Sequence, residues 1–212
     1  MSAVHGHRWF AAFWDRMVKV ESGTVRKMRD ETLAGLGGRV LEIGAGNGAN
    51  FHRYPETVTE IVATEPDPYM IERAEESAKE LGRPITITQA PAESLPYGDG
   101  EFDAVVSTLV LCTVTDLPKA LAEARRVLKP GGELRFFEHV RYDGGFGAFL
   151  QDTVRPVWGW VGAGCRPNQD TESAIRAAGF EIKELNHFKS GPPVPPMCFT
   201  RPCIQGVAVS TP

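Results

Sequence analysis

Cysteine is scarce in this sequence, positive charge holds no majority, and no long apolar run occurs; each shortage removes a class of protein. The four cysteines, Cys112, Cys165, Cys198 and Cys203, show no CxxC spacing and no nearby histidine pair. A zinc site is therefore not expected, and no metal is assigned. Spacing alone would allow a Cys198–Cys203 disulfide, but reduced thiols in the cytoplasm are the simpler reading. Lysine and arginine number 23 against 27 acidic residues, a net charge of −4. The basic residues are scattered, which argues against a nucleic-acid partner. The longest apolar stretch, 102–114, contains Asp103 and is about half of what a membrane span needs, so no stable membrane insertion is expected. The N-terminus lacks the basic-then-apolar pattern of a secretory signal. Repeats and low-complexity segments are missing too. What remains is a chain of 212 residues, 42% hydrophobic, enough for one cytoplasmic domain acting as a monomer or a homodimer.

The pattern along the chain alternates. Residues 5–34 read as helix, with Trp9, Phe10, Phe13 and Trp14 near its start and Met17, Val18, Val25 and Met28 continuing an apolar face. The stretch from Gly35 to Gly38 ends it. Strands are expected at 39–43, 60–64, 85–88, 102–107 and 133–140, with helices at 68–81 and 117–128 between them. Such alternation implies parallel pairing with right-handed crossovers. After Val140 regularity lapses through a stretch, 141–169, rich in glycine and aromatics. A helix at 170–178 and strands at 180–188 and 203–209 follow, the last two joined by a Pro-rich connection over 192–202. The expected fold is α/β: a Rossmann-like, doubly wound, seven-stranded sheet, mostly parallel with an antiparallel last strand, plus an N-terminal helical lid. Residues 1–38 form that lid, and 39–212 form the main domain, with 141–169 as a substrate cap.

The strongest local signal follows the first strand. Glu42 precedes Gly44, Ala45, Gly46 and Gly48, so glycines run G-x-G-x-G where the strand enters a turn at the carboxyl edge of the sheet. Dinucleotide sites space them G-x-G-x-x-G and face a pyrophosphate. A carboxylate at that edge would repel a pyrophosphate but could organise an amino group. S-adenosylmethionine carries an ammonium and a sulfonium, both positive, and is favoured over NAD. Glu65, beside Pro66, ends the second strand 21 residues after Gly44, where a carboxylate can accept both ribose hydroxyls. Asp67 is a weaker candidate for that role.

Together these residues resemble the class I methyltransferases, in particular the small-molecule branch with the ubiquinone and menaquinone enzymes. Glu42 to Gly48 matches the family's first motif and Glu65 its ribose-binding acid. Ala92 and Glu93 fall in its adenine loop, Phe102 to Ser107 in its fourth strand, and Leu128 to Gly132 in the turn before its fifth. Within that branch, Thr108 to Val114, Glu138-His139-Val140 and Gly164-Cys165 look like the methyltransferase-like 7 proteins, which methylate alkyl thiols. The resemblance implies S-adenosylmethionine as cofactor, S-adenosylhomocysteine as product, and Thr108 and Leu109 among the cofactor contacts. Two departures stand out. Pro91 occupies a position where relatives often carry an Asp for the adenine amino group, which leaves that task to Ala92 and Glu93. The hydrophobic anchor of the thiol-methylating relatives is replaced by the short aromatic segment near Trp9.

Methyl transfer asks the protein to align nucleophile, methyl and sulfur and to exclude water. His139, at the end of the fifth strand, is the candidate base or substrate contact. Glu138 alternates to the other side and is expected to anchor a loop. Trp9, Phe13, Trp14, Trp158, His139 and Cys165 are expected to contact substrate, and Phe146, Phe149 and Trp160 to join an aromatic lid suited to a small, mostly apolar acceptor. Cys112 reads as core or cofactor-pocket lining, and Arg155 and Arg166 could hold an anionic group. Thiol methylation is the favoured activity. O- or N-methylation of a quinone precursor, lipid head group or natural product is the alternative. An NAD-dependent oxidoreductase and a non-catalytic cofactor-binding module are the readings from other classes.

Overall fold

The computed structural model describes residues 21–161, 164–191 and 197–211. The chain runs α1 (Gly23–Leu33), β1 (Gly38–Ile43), a 3₁₀ turn (Phe51–Arg53), β2 (Val58–Thr64), α2 (Pro68–Leu81), β3 (Ile85–Thr88) and β4 (Phe102–Thr108). It continues through α3 (Leu117–Val127), β5 (Leu128–His139), α4 (Gly145–Val161), α5 (Thr171–Ala177), β6 (Phe180–Lys189), a second 3₁₀ turn (Met197–Thr200) and β7 (Pro202–Ser210). The seven strands form one sheet in the order β3-β2-β1-β4-β5-β7-β6. Strands β1 to β5 pair in parallel, and β7 inserts antiparallel between β5 and β6.

Successive residues of the central strands bury opposite faces, as the period of two requires. Leu41, Val62, Val105 and Phe136 join Leu121, Ala124 and Ile175 in one core layer. Val40, Ile61, Ala104 and Val106 join Leu33, Phe51 and Ala74 in the other. Strands apolar on both faces are the mark of a sheet covered on both sides. Helix starts are set locally. Asp67 caps α2 ahead of Pro68, and Asp116 and Asp170 accept from Lys119 and Ser173 N–H at the starts of α3 and α5. Gly82, at φ +65°, ends α2 in the left-handed conformation that glycine adopts without a Cβ clash.

Two segments differ from the sequence expectation. Residues 145–161, where regularity was expected to lapse, form α4, a helix of 17 residues with Pro156 inside it. Three glycines and Pro156 lower its summed helix propensity, which is why local pattern gave no sign of it. Of the expected N-terminal helix, only Gly23–Leu33 lies within the described residues; Trp9, Phe13 and Trp14 lie outside them. The side chain of Trp160 also lies outside the description. The order of the strands matters most for function. The chain leaves β1 toward β2 on one side, while β4 sits on the other, so the loops after β1 and β4 diverge and open a crevice at their carboxyl ends.

Candidate active site

The loop after β1 forms one wall of that crevice. Gly44, Gly46 and Gly48 have φ of +61°, +58° and +77°. A Cβ on Gly44 would stand 2.6 Å from a methyl of Val110, and one on Gly48 would stand 2.6 Å from the Phe51 ring. Ala45 N–H donates to Thr64 O (2.9 Å), tying the loop to β2. Glu65 follows directly. Its Oε2 accepts from Gly46 N–H and its Oε1 from Asp67 N–H, each at 2.9 Å. Burial raises its pKa, and those two N–H donors oppose the rise. Each oxygen keeps acceptor capacity beyond one bond, so the carboxylate suits a pair of ribose hydroxyls. Pro66 beside it is half-buried, and its carbonyl accepts from Gln89.

Glu42 lies under the loop and is 1% exposed. It accepts from Asn50 Nδ2 (2.7 Å) and from the Tyr54 hydroxyl (2.9 Å). Burial pushes its pKa up to about 7, although Tyr54, Asn50 and the Arg29 charge all pull downward. Even-numbered residues of β1 face α1, which explains this direction. From α1, the buried Arg29 donates through Nη1 to Asn50 Oδ1 (3.0 Å) and Thr108 Oγ1 (3.2 Å), and through Nε to Glu21 (2.8 Å). Asn50 Nδ2 also reaches Thr108 Oγ1, at 2.9 Å. One polar network therefore joins α1, the glycine loop and the end of β4. Arg29 was not among the sequence candidates. Its signal, a cation on the same helical face as Thr32 and Leu33, is visible only once that face is known to be buried.

The loop after β4 forms the opposite wall. Leu109 has φ +62°, alone among the described non-glycine residues, and its N–H donates to Phe137 O at 2.7 Å. Strain of this kind persists where neighbours over-determine the backbone. Here Glu138 does so: it accepts from Ser107 Oγ (2.6 Å) and from Val110 and Cys112 N–H (3.1 and 3.2 Å). Ala92 is buried and Glu93 half-buried in the loop after β3. Glu93 Oε1 accepts from Thr115 and Asp116 N–H, which orders the chain ahead of α3.

Beyond Leu109 stands a cluster that the sequence spacing did not suggest. The Cys112 and Cys165 sulfurs are 3.9 Å apart, and His139 Nδ1 lies 3.8 Å from each. The contact with Cys112 holds Cys165 below the ordinary thiol value, while that same contact and burial push Cys112 up. One thiolate is favoured at the pair and a second opposed. Trp158 packs edge-on against Phe199 at 6.1 Å. By contrast, Phe146 and Phe149, expected to face the site, are 76% and 64% exposed and pair with each other. They sit on the outer face of α4, whose existence the sequence reading missed. Arg166 donates to Thr115 O. Cys198 and Cys203 are both free, and Cys203 reaches Ser190 Oγ at 3.3 Å.

Residues 41–136 match the model of a methyltransferase domain. Thiol S-methyltransferase TMT1B of Homo sapiens is 37% identical over 169 residues, covering 76% of this chain and 68% of that protein. Thiol S-methyltransferase TMT1A of Homo sapiens is 30% identical over 217 residues, covering 95% of this chain and 86% of that protein. The chain belongs to the class I S-adenosylmethionine-dependent methyltransferases. A solved S-adenosylmethionine-dependent methyltransferase of Thermotoga maritima has the same fold (TM-score 0.69, 22% identity, 97% of this chain and all of that one). The residues of this methyltransferase fit its cofactor: a glycine loop that a Cβ would obstruct, and a buried carboxylate at its lip. When bound, S-adenosylmethionine supplies an electrophilic methyl on a positively charged sulfur. Among the described residues, no helix is long and apolar enough to cross a membrane.

Proposed function

We propose that this enzyme methylates the sulfur of a small, mostly apolar thiol. One observation carries the reading. The methyltransferase-domain match stops at residue 136, whereas the likeness to thiol S-methyltransferase TMT1A covers 95% of this chain. The likeness therefore extends into the part that follows β5, and in this fold the acceptor side is built largely there.

Glu65 would hold the ribose, and Gly44, Ala45, Gly46 and Gly48 would let the backbone approach the cofactor. Glu42 would support them from beneath through Asn50 and Tyr54. Pro66, Ala92 and Glu93 would border the adenine, and Thr108 and Leu109 the methionine end. Arg29 joins this set through its bond to Thr108. His139, Cys165 and Trp158 would meet the acceptor, and Trp9, Phe13 and Trp14, from the segment before α1, would cover it. Holding reactants in line supplies up to ~7–11 kcal/mol of rate enhancement in ideal cases, so positioning is most of what the protein contributes. The four free thiols suit a reducing, cytoplasmic setting.

Release of S-adenosylhomocysteine across matched thiol, phenol and amine acceptors tests the proposal. Turnover is expected with apolar thiols alone. Turnover with phenols or amines, thiols staying inert, would overturn it.

A further inference from the structure

Cys112, His139 and Cys165 come from three distant parts of the chain, yet their ligand atoms all lie within 4.8 Å of one another. Zinc binds thiolate sulfur at about 2.3 Å and imidazole nitrogen at about 2.0–2.1 Å. A tetrahedron built on those lengths sets two sulfurs about 3.8 Å apart, and sulfur and nitrogen about 3.6 Å apart. The observed separations are 3.9 Å for the sulfurs and 3.8 Å for each sulfur to Nδ1. A cystine would draw the sulfurs to about 2.0 Å and leave that nitrogen without a role.

The surroundings are built to hold the three groups. Cys112 N–H is held by Glu138, Arg166 N–H donates to Cys112 O (2.7 Å), and the His139 backbone is locked opposite Cys203 in the β5–β7 ladder. The Cys112 and Cys165 segments are thus bonded to each other before any ligand arrives. The Trp158 indole N–H is buried without a hydrogen-bond partner among the described residues.

We propose that Cys112, Cys165 and His139 bind one zinc ion in a three-ligand site whose fourth position receives the acceptor's sulfur. Three protein ligands and an open fourth position is the pattern of catalytic rather than structural zinc. His139 is half-buried, so the cluster is not sealed from the surface. The acceptor thiol releases its proton to water as its sulfur becomes the fourth ligand. The thiolate lone pair then forms the new S–CH₃ bond. The sulfonium C–S bond breaks, and its electron pair stays with S-adenosylhomocysteine. The methyl thioether is uncharged, a weaker ligand than the thiolate, and departs; one proton is released per turnover. The use of the fourth position rests on the thiol reading above; the metal site itself does not.

The test uses the full chain, stripped with a chelator and titrated with Zn²⁺ or with Co²⁺ as a spectroscopic stand-in. S-adenosylhomocysteine binding serves as the check on folding. About one metal per chain is expected, with the thiolate-to-cobalt charge-transfer band of a tetrahedral site. Cys112→Ser and Cys165→Ser should each lower metal affinity at least about tenfold, and Cys198→Ser should not. Wild-type chain that binds S-adenosylhomocysteine but neither metal overturns the site, whether or not the variants fold. Thiol methylation unchanged after complete stripping overturns the metal's role and leaves the thiol reading intact. Metal bound with no thiol methylated overturns the thiol reading and leaves the site.

Discussion

Glu138 Oε1 accepts a 2.6 Å hydrogen bond from Ser107 Oγ across the β4–β5 pair, inside the sheet. That contact aims the carboxylate at the backbone after β4, where Val110 and Cys112 N–H are held. A buried acid thereby holds both the strained Leu109 turn and the backbone of one cysteine of the cysteine–histidine cluster.

Glu138→Gln keeps the shape but exchanges one acceptor oxygen for an amide donor, so at least one backbone N–H loses its partner. Leaving a buried donor unsatisfied costs about 1–3 kcal/mol. Urea unfolding should show that loss, accompanied by weaker S-adenosylhomocysteine binding. A variant as stable as wild type would mean the loop holds itself.

Arg29→Ala strips Asn50, Thr108 and Glu21 of a shared partner in a buried setting. Removing one side of a buried ion pair costs about 3–5 kcal/mol. Arg29→Lys should recover part of the stability but not the forked geometry. We expect S-adenosylhomocysteine affinity about tenfold below wild type for the lysine variant, the worth of one charge-assisted hydrogen bond, measurable by calorimetry.

Gly44→Ala combines two penalties. A left-handed backbone costs a non-glycine residue about 1–2 kcal/mol, and the new Cβ would press on Val110 at 2.6 Å. The glycine loop and the Leu109 turn would be pushed apart, so loss of cofactor binding should exceed loss of stability. Equal affinity for S-adenosylhomocysteine in the variant would contradict this placement of the loop.

Glu42 gives a pH signature. Its ordinary pKa is 4.5, and burial raises it to about 7 in the folded chain. Between those values the unfolded chain has lost a proton that the folded chain retains, so stability falls as pH rises through that window and levels off above it. The gap corresponds to at most about 3 kcal/mol. Unfolding midpoints from pH 5 to 8 should show the decline in wild type and a flatter profile in Glu42→Gln. A wild-type profile rising from pH 5 to 7 would place the raised pKa elsewhere.

Much of the fold was legible in the sequence because its signals are local. A period of two, interrupted by capped helices, placed β3 and α2 at the residues the structure gives them, 85–88 and 68–81. The glycine spacing and Glu65 marked the cofactor edge, since a tight turn and a carboxylate at a strand end need only neighbouring residues. Three things were not legible there. Arg29 acts from a helix whose buried face no local pattern defines. α4 spans three glycines and a proline, which local propensity reads as irregular chain. Cys112, His139 and Cys165 meet only because β4 and β5 lie side by side and the segment after α4 returns over their carboxyl ends. Local sequence determines which strands and turns can form, through backbone sterics and the alternation of apolar side chains. Which side chains come within bonding distance across 53 residues, as the two sulfurs do, is decided only when burial of both sheet faces closes the chain on itself.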